Sequence, residues 1–159
     1  PGLRVVVSAA PHVEIDPARC PFEMVRLESF TLLRAADAAL CKSGTTTLEA
    51  AVAGCPLAVA YRARSLDYAV GRWIVKIPYI GLVNIVAGKL VAPEFIQDAL
   101  QPTAVANVLE PLLDLESPER RAMVAELDAV RASLGTPGAA QRVADIALGL
   151  IARGDDVVR

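Results

Sequence analysis

The stretch Cys41 to Pro56, CKSGTTTLEAAVAGCP, carries the residues whose types and spacing could do chemistry. Ser43, Gly44, Thr45 and Thr46 stand where a buried strand gives way to a helix, and Glu49 follows in the helix's second turn. A helix start presents backbone N–H groups with no intrahelical partner, and the helix dipole adds positive potential there. Such a position favours a phosphate. Gly44 lets the chain turn sharply and lets a ligand come close to the backbone. The hydroxyls of Ser43, Thr45 and Thr46 can cap the helix and can also donate to phosphate oxygens. Glu49 cannot bind a diphosphate, but its carboxylate can accept hydrogen bonds from ribose hydroxyls. The combination suits a nucleotide, although capping alone also accounts for an S-G-T helix start. The G-x-G-x-x-G and Walker patterns are absent, which argues against NAD and against P-loop chemistry.

The elements that must position these groups follow from hydrophobic periodicity. Leu3–Ser8 and Glu23–Leu27 read as strands, and Ser29 as the N-cap of a short helix, FTLLRAAD. Ala38–Cys41 is a buried strand and Thr45–Ala53 a helix, with Gly54 at its left-handed C-terminal cap and Pro56 just behind. Leu57–Tyr61 is a further buried strand. Strand and helix alternating through short loops predict an α/β fold, a Rossmann-like parallel sheet with helices on both faces. The proposed site then falls at the carboxyl ends of the strands, where such sheets bind ligands.

Beyond Tyr61, a helix is expected over Leu66–Val75, holding Tyr68 and Trp73, which serve either packing or interfacial contact. IPYIGLVNIVAG reads as a short strand and a loop, and Pro93 as the first residue of a helix, PEFIQDAL. Three carboxy-terminal helices complete the chain. Their stripes are Val105, Val108, Leu109 and Leu112; Met123, Leu127, Val130 and Leu134; and Val143, Ile146, Leu150 and Ile151. Residues 1–152 form one domain and 153–159 a flexible tail.

Composition narrows the function. At 159 residues, 54% hydrophobic, the chain can bury one core. A net charge of -2 gives no electrostatic reason to expect nucleic acid. Cys20, Cys41 and Cys55 have neither a disulfide pattern nor zinc-ligand spacing, and read as small buried hydrophobes in a reducing compartment. His12, the one histidine, reads as a loop residue rather than a catalytic base. No apolar run reaches a membrane span and no signal peptide opens the chain, so the cytoplasm is expected.

Three segments occur in order: SGTTTLEAAVAGCPLAVAYR, VKIPYIGLVNIVAG and PEFIQ. Over most of its length, from Leu3 to Ile151, the chain closely resembles the lipid-A-disaccharide synthases. Asn84–Gly88 with Pro93–Gln97 is the specific part, because other two-domain glycosyltransferases share the SGT…E outline. The resemblance implies the nucleotide-binding half of a GT-B glycosyltransferase. Such an enzyme transfers diacylglucosamine from its UDP donor to diacylglucosamine 1-phosphate, with inversion and without metal or other cofactor. It implies that Ser43, Gly44, Thr45 and Thr46 meet the diphosphate and Glu49 the ribose. Asn84 and Gln97 match polar positions near the donor's phosphate or sugar. Glu94 either does the same or favours a helix start by its charge. Arg62 and Arg64 either neutralise donor phosphate or lipid headgroups, or are solvated.

The resemblance further implies peripheral contact with the inner membrane, and carboxy-terminal helices able to pack on another domain or a second protomer, which permits a homodimer. Family members are more than twice as long, and the catalytic base is expected in an amino-terminal domain that this sequence lacks. Pro1–Arg4 does not match the family's P-G-S-R-type loop, so a truncated chain without its first βα unit is expected, inactive alone and at best a weak UDP binder. Two rival readings are another UDP-sugar enzyme of cell-wall synthesis and a non-catalytic UDP-sugar-binding subunit of a split glycosyltransferase.

Overall fold

The computed structural model describes residues 2–10, 13–26, 28–63 and 78–155. His12, Arg64 and the helix expected over Leu66–Val75, with Tyr68 and Trp73, lie outside the described residues. Val6–Ser8 (β1) pairs in parallel with Glu23–Val25 (β2). Ala39–Lys42 (β3), Leu57–Tyr61 (β4) and Glu94–Ile96 (β5) form a second parallel sheet in the order β3-β4-β5. The helices are Ser29–Ala35 (α1), Thr46–Ala53 (α2), Leu82–Ala87 (α3), Pro102–Leu113 (α4), Pro118–Ser133 (α5) and Ala139–Asp155 (α6). The fold is parallel α/β, as the alternation of strand and helix predicts.

Strand β4 is central because its sequence, LAVAY, is apolar at successive positions. Leu57, Ala58 and Val59 are all 0% exposed, and neighbouring side chains of a strand point to opposite faces, so both faces of β4 are covered. Helix α2 packs on β3 and β4, and α4 packs on β4. Ala50 and Ala51 of α2 are fully buried, and their small side chains let α1, α3 and α5 approach the same helix. Leu127 and Val130 of α5 complete the core from outside α2.

The helix ends follow local chemistry. Gly54 closes α2 at φ 72, a left-handed backbone that a side chain would strain, and its N–H reaches Ala50 O and Ala51 O. Ser117 caps α5 by accepting from Arg120 N at 3.1 Å, with Pro118 at the first helical position. Arg120 Nη1 donates to Asp37 O and Leu112 O, tying α5 to the ends of α1 and α4.

Three expectations change. Ser29 is the first residue of α1 and Glu28 occupies the cap position. Residues 82–87 form a helix rather than a strand and a loop. It is too short to display a 3.6-residue period, and Gly81 and Gly88 bound it. Pro93–Gln97 does not open a helix. The unpaired edge of β4 recruits it instead: Val59 N donates to Pro93 O at 2.8 Å, and Glu94–Ile96 continue as β5 beside Val59–Tyr61. Tertiary pairing overrides the local proline signal. Helix α6 ends at Asp155.

The stripe on α6 has no cover among the described residues: Val143, Ile146, Leu150 and Ile151 are 61–66% exposed. No helix of the described residues is long and apolar enough to cross a membrane.

The buried cysteines behave as packing residues. Burial pushes the Cys41 thiol up to about 12, with the nearby Cys55 and Glu49 adding to the rise. Burial likewise pushes Cys55 up to about 11, Arg120 opposing it. A thiol with a raised folded-state pKa contributes stability that is fully present below its unfolded value of 9.0 and is lost as pH rises through about 11 to 12. At about pH 8, iodoacetamide should therefore modify only the half-buried Cys20 in the folded chain, and all three cysteines in urea. Labelling of Cys41 without unfolding, read by mass spectrometry, would contradict this placement.

Candidate functional site

Three parallel strands end side by side, and each end delivers a residue singled out in the sequence. Ser43 follows β3, Arg62 follows β4 and Gln97 follows β5. The register places Lys42 opposite Ala60, and Tyr61 opposite Ile96. These expected site residues therefore share the carboxyl edge of the sheet.

At the end of β3 the backbone turns at Gly44, whose φ of 142 lies where side chains are disfavoured. Helix α2 starts just beyond it. The first N–H of the run bonded to the turn itself is that of Thr47, to Gly44 O at 3.2 Å. The N–H groups of Gly44, Thr45 and Thr46 have no backbone acceptor among the described residues, and Thr45 makes no side-chain cap. They remain available to an anion, reinforced by the dipole of α2. Thr45 is exposed, whereas Thr46 and Ser43 are half-buried.

Glu49 is half-buried on α2, and its Oε2 is shut from solvent with no hydrogen-bond partner among the described residues. A buried acceptor left without a donor is uncommon and costly in a folded protein. It is the one buried side-chain polar atom without a partner among the described residues.

Of the remaining expected residues, Asn84, Glu94 and Gln97 are hydrogen-bonded within the protein. Asn84 is 0% exposed, and its amide is saturated. Oδ1 accepts from Val91 N and Ala92 N, each at 2.8 Å, and Nδ2 donates to Ala92 O at 2.7 Å and Glu94 Oε1 at 2.8 Å. No bonding capacity is left for a donor sugar. Glu94 accepts from Ile80 N at 3.0 Å and Gly81 N at 2.8 Å, so its carboxylate anchors the segment entering α3 and favours no helix start of its own. Gly81 fits closely there, because an added Cβ would lie 3.1 Å from Val59 Cγ2 and 3.2 Å from Glu94 Oε1.

Gln97, in a left-handed conformation at φ 52, turns its amide onto one residue. Oε1 accepts from Ala63 N at 2.8 Å and Nε2 donates to Ala63 O at 3.0 Å, so the side chain extends the pairing between β4 and β5. Arg62, next to that clamp, is exposed.

Two groups escaped the sequence reading. Thr47 is fully buried, with its hydroxyl on Gly44 O, and Ile80 accepts from Ser43 Oγ at 2.7 Å. The signal for Thr47 was present: it is the lone hydroxyl on a helix stripe that continues with Ala50 and Ala51. A shallow depression of about 430 Å3, lined in part by Gly54, Leu115, Arg120 and Asp128, lies at the opposite end of α2 and touches none of the site residues.

A family model described as lipid-A-disaccharide synthetase matches residues 16–139. The lipid-A-disaccharide synthase of Syntrophus aciditrophicus (strain SB) is 48% identical over 133 residues, covering 83% of this chain and 34% of that protein. The synthase of Anaeromyxobacter sp. (strain K) is 48% identical over 159 residues, covering 95% and 41% respectively. That of Pseudomonas paraeruginosa (strain DSM 24068 / PA7) is 42% identical over 161 residues, covering 96% and 41%. The chain thus spans between 34% and 41% of the length of these curated relatives. On its motifs, its parallel α/β architecture and these matches, the chain belongs to the lipid-A-disaccharide synthetase family.

Proposed function

We propose that this chain is the donor-nucleotide-binding part of a lipid-A-disaccharide synthase, an inverting glycosyltransferase. The observation that carries the reading is the Gly44 turn, with three N–H groups that have no backbone acceptor among the described residues, followed on the same helix by Glu49, whose Oε2 has no partner there. The turn holds the diphosphate of a UDP-linked diacylglucosamine through Ser43–Thr46, and Glu49 accepts from the ribose diol. Arg62 supplies positive charge at the same edge. Gln97, Glu94 and Asn84 support the donor site through the backbone segments they fix.

In the reaction the 6-hydroxyl of diacylglucosamine 1-phosphate attacks the anomeric carbon. The bond from that carbon to the UDP oxygen breaks, and a base removes the acceptor proton. Negative charge grows on the departing diphosphate, and the N–H groups and dipole of α2 stabilise it there. The base belongs to a part of the enzyme other than this site. Both substrates are acylated, which supports peripheral contact with the inner membrane on its cytoplasmic side. The apolar stripe of α6 offers a surface for a second protomer or another domain.

Calorimetric titration of the folded chain with UDP tests the nucleotide half of this reading, with circular dichroism as the check on folding. Binding in the micromolar-to-millimolar range is expected. A folded chain that ignores millimolar UDP removes the site assignment. The acceptor half is tested by exchanging this chain for the matching part of the Anaeromyxobacter relative. The hybrid should transfer acylated and not unacylated sugar, and the reverse preference would point to a different UDP-sugar enzyme.

A further inference from the structure

Thr47 stands apart from its neighbours in the hydroxyl run because it faces inward, 0% exposed. Its Oγ1 donates to Gly44 O at 2.8 Å and accepts from Val83 N, the second residue of α3, at 3.3 Å. Thr47 N also donates to Gly44 O, at 3.2 Å. The Gly44 carbonyl is therefore held by two donors from one residue, and that residue is itself moored to α3.

The consequence runs through peptide geometry. The Gly44 carbonyl and the Thr45 N–H belong to one planar peptide unit, in which they point in opposite directions. Pinning the oxygen inward onto Thr47 turns the Thr45 N–H outward, to the side where the anion is expected. The peptide following a glycine with positive φ would otherwise rotate easily. A second tether acts on the same turn: Ser43 Oγ donates to Ile80 O at 2.7 Å, and Glu94 fixes Ile80 and Gly81 from behind.

We propose that Thr47 is the positioning residue of the diphosphate turn: its hydroxyl sets the Gly44–Thr45 peptide plane so that Thr45 N–H faces the ligand phosphate. The proposal rests on the reading of this turn as a UDP site. It predicts an effect confined to the phosphate end of the ligand, which a general packing role would not produce.

The test measures Kd for UDP and for uridine with the chain, with Thr47→Val, which keeps the shape but lacks the hydroxyl, and with Thr47→Ser, which keeps the hydroxyl. Valine should weaken UDP by about tenfold while uridine changes by less than about twofold, the loss typical of one charge-assisted hydrogen bond. Serine should restore most of the UDP affinity. An unchanged ratio of UDP to uridine affinity in Thr47→Val overturns the proposal while leaving the UDP site intact. A folded parent chain that binds no UDP overturns both. Should the valine variant unfold, the parent chain still decides: UDP must shift the Thr45 amide resonance, and an unmoved Thr45 amide refutes the proposed orientation.

Discussion

Truncation of Asn84 to alanine should lower the stability of the chain by about 3 kcal/mol or more, since each buried polar group left unsatisfied costs roughly 1–3 kcal/mol. Asn84 makes four hydrogen bonds from a position with no solvent exposure. Alanine would strand Val91 N, Ala92 N and Ala92 O and remove one donor from Glu94. Water entering the vacated space would recover part of the loss. Domains are stable by only about 5–15 kcal/mol in total, so the variant should sit near the edge of folding. Urea unfolding followed by circular dichroism reads the effect as a fall in the transition midpoint at an unchanged slope.

Asn84→Asp sharpens the test. It keeps the oxygen that accepts from Val91 N and Ala92 N but sets a carboxylate against Glu94 Oε1, where the amide now donates at 2.8 Å. Two carboxylates at that distance cannot both ionise cheaply, so the defect should shrink as pH falls and the pair shares a proton. A midpoint for Asn84→Ala equal to that of the parent chain would show that Asn84 does not hold this corner of the fold.

The same residue shows what the sequence could and could not disclose. Asn84, Glu94 and Gln97 are picked out by the family resemblance, as polar positions expected near the donor, and the structure places each on backbone groups of the protein. Sequence cannot say whether such a group faces a ligand or the protein, because that depends on which backbone groups arrive beside it. Here Ala92 folds back onto Asn84, Ile80 and Gly81 reach Glu94, and Ala63 reaches Gln97, all through loops whose geometry has no periodic signature. The βα units around the Gly44 turn were legible for the opposite reason. A buried strand, a glycine, a helix with small inward residues and a terminal Gly54 each announce themselves locally, and every signal agrees with the next. Pro93 shows the limit of that logic. Its local helix signal conflicts with the exposed edge of β4, and the sheet prevails.

The second large effect concerns Glu49, and its signature separates ligand binding from packing. Glu49→Ala should weaken UDP binding by about tenfold or more, roughly 1.4 kcal/mol, because the ribose diol loses its acceptor. The same change should leave the unliganded chain at least as stable, since it removes a buried oxygen that has no partner among the described residues. Function and stability would then move in opposite directions, as expected where a site tolerates an unfavourable group for the sake of its ligand. Glu49→Gln retains one acceptor oxygen and should fall between the two. The contact itself can be isolated with a UDP analogue lacking both ribose hydroxyls. The parent chain and Glu49→Ala should bind that analogue alike, because neither can form the interaction, and the difference between the two ligands measures the coupling directly. If alanine instead lowers the unfolding midpoint and leaves UDP affinity unchanged, Glu49 is a packing residue of α2, and the ribose must be held by other groups.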